Sequence, residues 1–246
     1  MGARRVSALT AISNRFCRYE LRSTDVDTAR EFYAALFGDG FWGADLDIAQ
    51  LPAAAAARGV PGYWLGHLAV DDVVPPLYRF LDAGATRLGA PPADGRDSAG
   101  VVLRDPFGAI VALTPASAPT AKRRIAWHLH VSRDEERAFG FYQGVLGWTA
   151  LDRQDLGERG RHVTFAWDST GRAVGSACDM ASRPHVHPQW LYFFATPDLD
   201  ASIARVRELG GLALRPTTTA DGHRVVACDD PQGAAFGLYE RGRASV

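Results

Sequence analysis

Asp25-Val26-Asp27-Thr28-Ala29-Arg30-Glu31-Phe32-Tyr33, running into Ala34-Ala35-Leu36-Phe37-Gly38, returns later as Asp134-Glu135-Glu136-Arg137-Ala138-Phe139-Gly140-Phe141-Tyr142, running into Gln143-Gly144-Val145-Leu146-Gly147. Each copy sets an aspartate where a helix starts, Phe-Tyr seven residues on, and a glycine where it stops. An N-cap carboxylate accepts from the free N–H groups of the first turn and faces the positive helix end. Glycine suits the left-handed residue that ends a helix. Phe32 and Leu36, like Phe141 and Val145, stand four apart and predict one face turned to a sheet.

Two further pairs keep the same order. Trp64 to Asp72 precedes a helix ending Phe80-Leu81-Asp82-Ala83-Gly84-Ala85, as Trp190 to Asp198 precedes one ending Val206-Arg207-Glu208-Leu209-Gly210-Gly211. Asp105-Pro106-Phe107-Gly108-Ala109 is answered by Asp230-Pro231-Gln232-Gly233-Ala234, a turn in which proline fixes one dihedral and glycine permits positive φ. Three ordered matches offset by about 110–125 residues mark an internal duplication. The proline-bearing, aperiodic stretch from Thr114 to Ala121 divides the copies. The reading is a first domain over 13–115, a linker over 116–123 and a second domain over 124–241. Cys17 to Ser23 and Ile125 to Ser132 alternate with the period of strands.

These landmarks resemble the vicinal oxygen chelate superfamily of glyoxalase I, bleomycin-resistance proteins and extradiol dioxygenases. The resemblance rests on Asp25…Phe32-Tyr33…Gly38, Trp64…Val70-Asp71-Asp72 and Asp105-Pro106-Phe107-Gly108 with their second-copy partners, and it spans about Arg15 to Glu240. It implies an α+β fold of tandem glyoxalase/bleomycin-resistance-like domains, built from βαβββ modules whose sheets curl into open cups that hold ligands. Gly38 to Gly62 is too short for a full set of module strands, and its Ala53–Ala57 run reads as helix.

Of 246 residues, 47% are hydrophobic and 22% charged, the balance of a globular chain. A net charge of −1 gives no basic surface for nucleic acid. Three cysteines without CxxC spacing argue against a disulfide framework and fit a reducing cytoplasm. No apolar run is long enough for a membrane helix, so no membrane partner is expected. GxGxxG, GxxxxGK[ST], GxSxG and HExxH are all absent.

The resemblance also marks positions for metal ligands. Three of the four positions per domain can be placed here, at Arg18, Leu65 and Ala112 in the first copy and Trp127, Leu191 and Gly237 in the second. None of these is a donor that suits a divalent ion, so no cofactor is expected. A divalent metal held by His67 or by His185 and His187 in a rearranged site is the alternative.

Strand parity assigns the cup faces, because alternate side chains share a face. The first cup receives Arg18, Glu20 and Arg22 opposite Leu65 and His67, a charged set suited to a polar or anionic ligand. The second receives Trp127 and Leu129 opposite Leu191 and Phe193, an apolar and aromatic set. His128 and His130 fall on the opposite face, towards the helix side or the seam between the domains. His185 and His187 lie in a loop that could close a cup mouth.

The function expected is metal-independent binding of a small organic molecule, either to sequester or to transform it. If chemistry occurs, Glu20 and His67 are the acid–base candidates for an isomerase, lyase or cyclase reaction of natural-product tailoring type. Alanine and arginine richness fits a high-GC bacterium, where relatives serve drug resistance or secondary metabolism. Two alternatives stay open: a metal-dependent glyoxalase- or dioxygenase-type enzyme, and a non-catalytic module. A homodimer is compatible with either.

Overall fold

The computed structural model describes residues 13–89, 100–116, 124–219 and 221–242. The expected linker lies, from residue 117 onward, outside the described residues. The first half runs β1 (Arg15–Ser23), α1 (Val26–Phe37), β2 (Leu46–Gln50), α2 (Ala53–Ala56), β3 (Tyr63–Val70), α3 (Val74–Asp82), β4 (Thr86–Leu88), β5 (Val101–Arg104) and β6 (Ile110–Pro115). The second half runs β7 (Ile125–Val131), α4 (Glu135–Leu146), β8 (Thr149–Asp155), β9 (Arg161–Ala166), β10 (Gly175–Cys178), β11 (Gln189–Ala195), α5 (Leu199–Glu208), β12 (Leu212–Ala213), β13 (Thr217–Thr218), β14 (Arg224–Asp229) and β15 (Ala235–Glu240).

Each half makes its own sheet, ordered β2-β1-β3-β6-β5-β4 and β12-β14-β15-β11-β7-β10-β9-β8, with β13 on β14. This is the expected α+β architecture. In the second sheet β7 and β11 pair antiparallel at the centre, and each runs parallel to the last strand of its own module, β10 or β15. The first sheet repeats this with β1 and β3, but its first module is only β1-α1-β2. The two strands between helix and parallel return strand are missing, as the length of Gly38 to Gly62 predicts, and the alanine run is helical.

Local chemistry sets the helices. Asp25 and Asp134 cap α1 and α4 by accepting from the N–H of Thr28 and Arg137, at 3.1 and 3.0 Å. Gly38 and Gly147 end these helices at φ of 91° and 75°. Asp198 caps α5 in the same way. Its counterpart Asp72 only accepts from Val74 N, and Val73 begins α3 without a side-chain cap.

The inner faces of both sheets share one continuous apolar core that includes Leu21, Trp64, Leu68, Trp190, Tyr192 and Phe236. The duplicated landmarks meet there. Trp64 Nε1 donates to Tyr33 Oη at 2.9 Å, and Tyr33 donates at 3.3 Å to Asp230 Oδ2 of the other half. Trp190 Nε1 donates to Tyr142 Oη at 3.0 Å, and Tyr142 donates at 2.8 Å to Asp105 Oδ2 of the other half. The Oδ1 atoms of Asp105 and Asp230 each accept two N–H groups of their own Asp-Pro-x-Gly turn, all at 2.9 Å. Gly108 and Gly233 supply the positive φ these turns need, 101° and 80°.

The two relays differ at one residue. His130 Nε2 donates to Asp105 Oδ2 at 2.9 Å, whereas in the first half Leu21 holds the matching place, four residues before the helix cap. Burial works to raise Asp105, but the bonds from His130, Tyr142 and the turn outweigh it and hold the carboxyl below its ordinary 3.8. At Asp230, burial wins over the bonds from Ala234, Gln232 and Tyr33 and raises the carboxyl above 3.8.

Asp105 therefore contributes stability that is complete above pH 3.8 and fades as pH falls through its lower folded value. Asp230 contributes in the opposite sense, most fully below pH 3.8, and loses that contribution as pH rises through its raised value. At pH 7, Asp105→Asn should cost about 2–4 kcal/mol, because the new amide confronts two buried donors. Asp230→Asn should stay within about 1 kcal/mol. Urea unfolding of both variants reads the difference, and equal losses would contradict it.

Candidate ligand site

The outer faces of the sheets are the two cups. In the first, register sets Arg18 beside His67 and Glu20 beside Leu65. Arg18 Nη2 lies 3.2 Å from His67 Nε2 and 3.5 Å from Glu20 Oε2, and Arg22 closes a second ion pair on Glu20. Leu65 and His67 are buried beneath them. Burial first, then the charges of Arg18 and Arg22, push His67 down to about 3. Its imidazole is therefore neutral at physiological pH and accepts from Arg18. The structure brings the expected polar residues together, with Arg18 inserted between Glu20 and His67.

In the second cup, register pairs Leu191 with Leu129 and Phe193 with Trp127. Tyr239, Val225 and Ala227 extend this floor from β15 and β14. The Trp127 and Tyr239 rings lie within 14° of parallel, with centroids 6.5 Å apart. A concavity of about 1950 Å³ takes in this floor and reaches Arg18, Tyr63 and Arg104 of the first sheet. His185, held at φ 64°, and His187 are exposed on its lip.

One wall of this cup is polar. His162 and Thr164 on β9, Ser176 on β10 and Gln154 on β8 face the concavity. Trp127 Nε1 lies 3.3 Å from Ser176 Oγ, which lies 3.3 Å from His162 Nδ1. Sequence reasoning missed Ser176 and His162. Their strands alternate like the others, but no motif anchors which face each residue takes.

The structure locates the fourth ligand position. Leu129 pairs with Ser176 as Phe193 pairs with Gly237, so Ser176 completes the set Trp127, Leu191 and Gly237. In the first sheet, Glu20 pairs with Asp47 as His67 pairs with Ala112, adding Asp47 to Arg18, Leu65 and Ala112. The second set has an indole, a hydroxyl, an isobutyl group and no side chain. The Phe193 ring also fills the space where a side chain at Gly237 would project. The first set offers one carboxylate, exposed at Asp47. Neither fits a metal of the family type. Among the described residues no three His, Cys, Asp or Glu side chains converge to hold an ion.

The other histidines are structural. His128 and His130 are buried at the seam, on the face expected. Tyr19 Oη donates to His128 Nε2 at 2.6 Å and His128 Nδ1 donates to Val174 O at 2.8 Å, while burial pushes this imidazole down to about 4. His223 Nδ1 accepts from Gly242 N at 3.0 Å. Cys17, Cys178 and Cys228 are unpaired, and burial pushes the latter two thiols up to about 12. Among the described residues no helix is long and apolar enough to cross a membrane.

Residues 124–238 match the family model of the Glyoxalase/Bleomycin resistance protein/Dioxygenase superfamily. A protein of Mycobacterium tuberculosis (strain CDC 1551 / Oshkosh), provisionally named as the glyoxylase CFP32, is 27% identical over 90% of this chain and 92% of its own length. The anthracycline biosynthesis protein DauV of Streptomyces sp. (strain C5) is 28% identical over 90% of this chain and 91% of its own length. Among solved structures, the Mn(II)-bound glyoxalase from Novosphingobium aromaticivorans superposes with a TM-score of 0.59 at 14% identity, covering 95% of this chain and 84% of that one. Residues 124–238 thus belong by sequence to the glyoxalase, bleomycin-resistance and dioxygenase superfamily, and over nearly its whole length the chain shares the fold of the solved glyoxalase.

Proposed function

We propose that the second cup binds a flat, largely apolar organic molecule through its aromatic floor, without a metal ion at the positions the superfamily uses for ligands. The observation that carries this reading is the set Trp127, Ser176, Leu191 and Gly237, with Phe193 packed over the glycine. These residues trade ionic donors for ring surface, and ring surface is what a planar ligand buries. The anthracycline biosynthesis relative supports a polycyclic aromatic metabolite as the ligand class. Three unpaired cysteines fit work in a reducing compartment.

The first cup is read as a self-satisfied ionic cluster. Glu20 is clamped by two arginines, and an imidazole held near 3 is a poor base at neutral pH. Proton transfer by Glu20 and His67 therefore has less support than binding in the second cup.

Two outcomes are expected. A polycyclic anthraquinone should quench tryptophan fluorescence saturably, with the same affinity before and after dialysis against a chelator, and Trp127→Ala should weaken it about tenfold. Binding that vanishes with chelator and returns with manganese would contradict the proposal. By NMR, the His67 ring should show no titration between pH 5 and 8, in keeping with its depressed value of about 3. A midpoint near the ordinary 6.5 would restore His67 as an acid–base candidate.

A further inference from the structure

We infer that Ser176 and His162 form a polar recognition element in the second cup that selects ligands carrying a hydrogen-bond donor, a phenolic hydroxyl above all. The inference rests on the second cup being the binding site.

His162 Nε2 lies 2.9 Å from the carbonyl oxygen of Arg159. A carbonyl only accepts, so Nε2 carries a hydrogen. Burial, the largest influence, lowers this imidazole from its ordinary value despite that bond, which keeps the ring neutral near pH 7. In a neutral ring with its hydrogen on Nε2, Nδ1 is bare and accepts. Ser176 Oγ, at 3.3 Å, therefore donates its single hydrogen to Nδ1. On its other side, Ser176 Oγ accepts from the indole N–H of Trp127 at 3.3 Å. An indole nitrogen can only donate, so this direction is fixed as well.

A hydroxyl oxygen has one hydrogen and two lone pairs. The hydrogen and one lone pair of Ser176 are committed, which leaves one lone pair for the ligand. A ligand hydroxyl satisfies it. An ether or carbonyl oxygen in the same place sets lone pair against lone pair. Ser176 is only 4% exposed, so little water can relieve that mismatch. The element also has no copy in the first sheet, because the strand carrying His162 belongs to the pair that the first module lacks.

The test compares 2-naphthol with 2-methoxynaphthalene, the same ring and oxygen with and without the donor, by isothermal titration calorimetry on the full chain. Wild type should prefer 2-naphthol by about tenfold, the size of one well-made hydrogen bond. Ser176→Ala deletes the acceptor, and His162→Phe frees the serine hydroxyl to rotate. In both, the preference should fall to within about twofold, with far-UV circular dichroism confirming the fold. Equal affinities in wild type, or a preference that survives both substitutions, would overturn the hydroxyl reading alone. Failure of both compounds to bind would overturn the second cup as an aromatic site and this inference with it.

Discussion

Two aspartates tie the halves of this protein together by dividing their oxygens. In Asp105 and Asp230, Oδ1 closes a turn within one half and Oδ2 accepts a tyrosine hydroxyl from the other. Each tyrosine in turn accepts from a tryptophan of its own half. A buried carboxylate without such partners would cost several kcal/mol. The inner faces of both sheets are committed to this seam and to the core around it. The concave outer faces are what remains for ligands.

Duplication made the cups alike and two local changes made them differ. Charged side chains fill the first: Arg18, Arg22 and Glu20 over a neutral His67. Its leading module also has no counterparts of β8 and β9, so that side of the cup has less wall. The second cup keeps those strands, and they bring Gln154, His162 and Thr164 to a floor of Trp127, Leu191, Phe193 and Tyr239. One sheet has become an ionic cluster and the other an aromatic surface with one polar wall.

Much of this was legible in the residues. The Asp25 and Asp134 caps, the glycine stops and the Asp-Pro-x-Gly turns are short-range chemistry, and they anchored the strand parity that placed Arg18, Glu20, His67, Trp127 and Phe193. The shortened first module was readable from chain length, and the alanine helix from propensity. Long-range consequences were not. That the Phe-Tyr pair, the tryptophans and the turn aspartates would become one hydrogen-bonded relay depends on how the halves dock, which no local pattern encodes. Ser176 and the fourth ligand position depend on the register between β7 and β10, and β10 is a four-residue strand without a landmark of its own. The depressed value of His67 likewise follows from tertiary burial beneath two arginines.

The central claim is that organic ligands occupy the second cup at the positions where the superfamily's metal-binding proteins hold an ion. A crystal structure of the protein grown with Mn(II) and a polycyclic aromatic ligand, with anomalous data collected, tests it most directly. The account predicts the ligand rings against Trp127 and Phe193 and no anomalous peak at the floor of either sheet. An anomalous peak among Trp127, Ser176, Leu191 and Gly237, or a ligand seated over Glu20 and His67 instead, would contradict it.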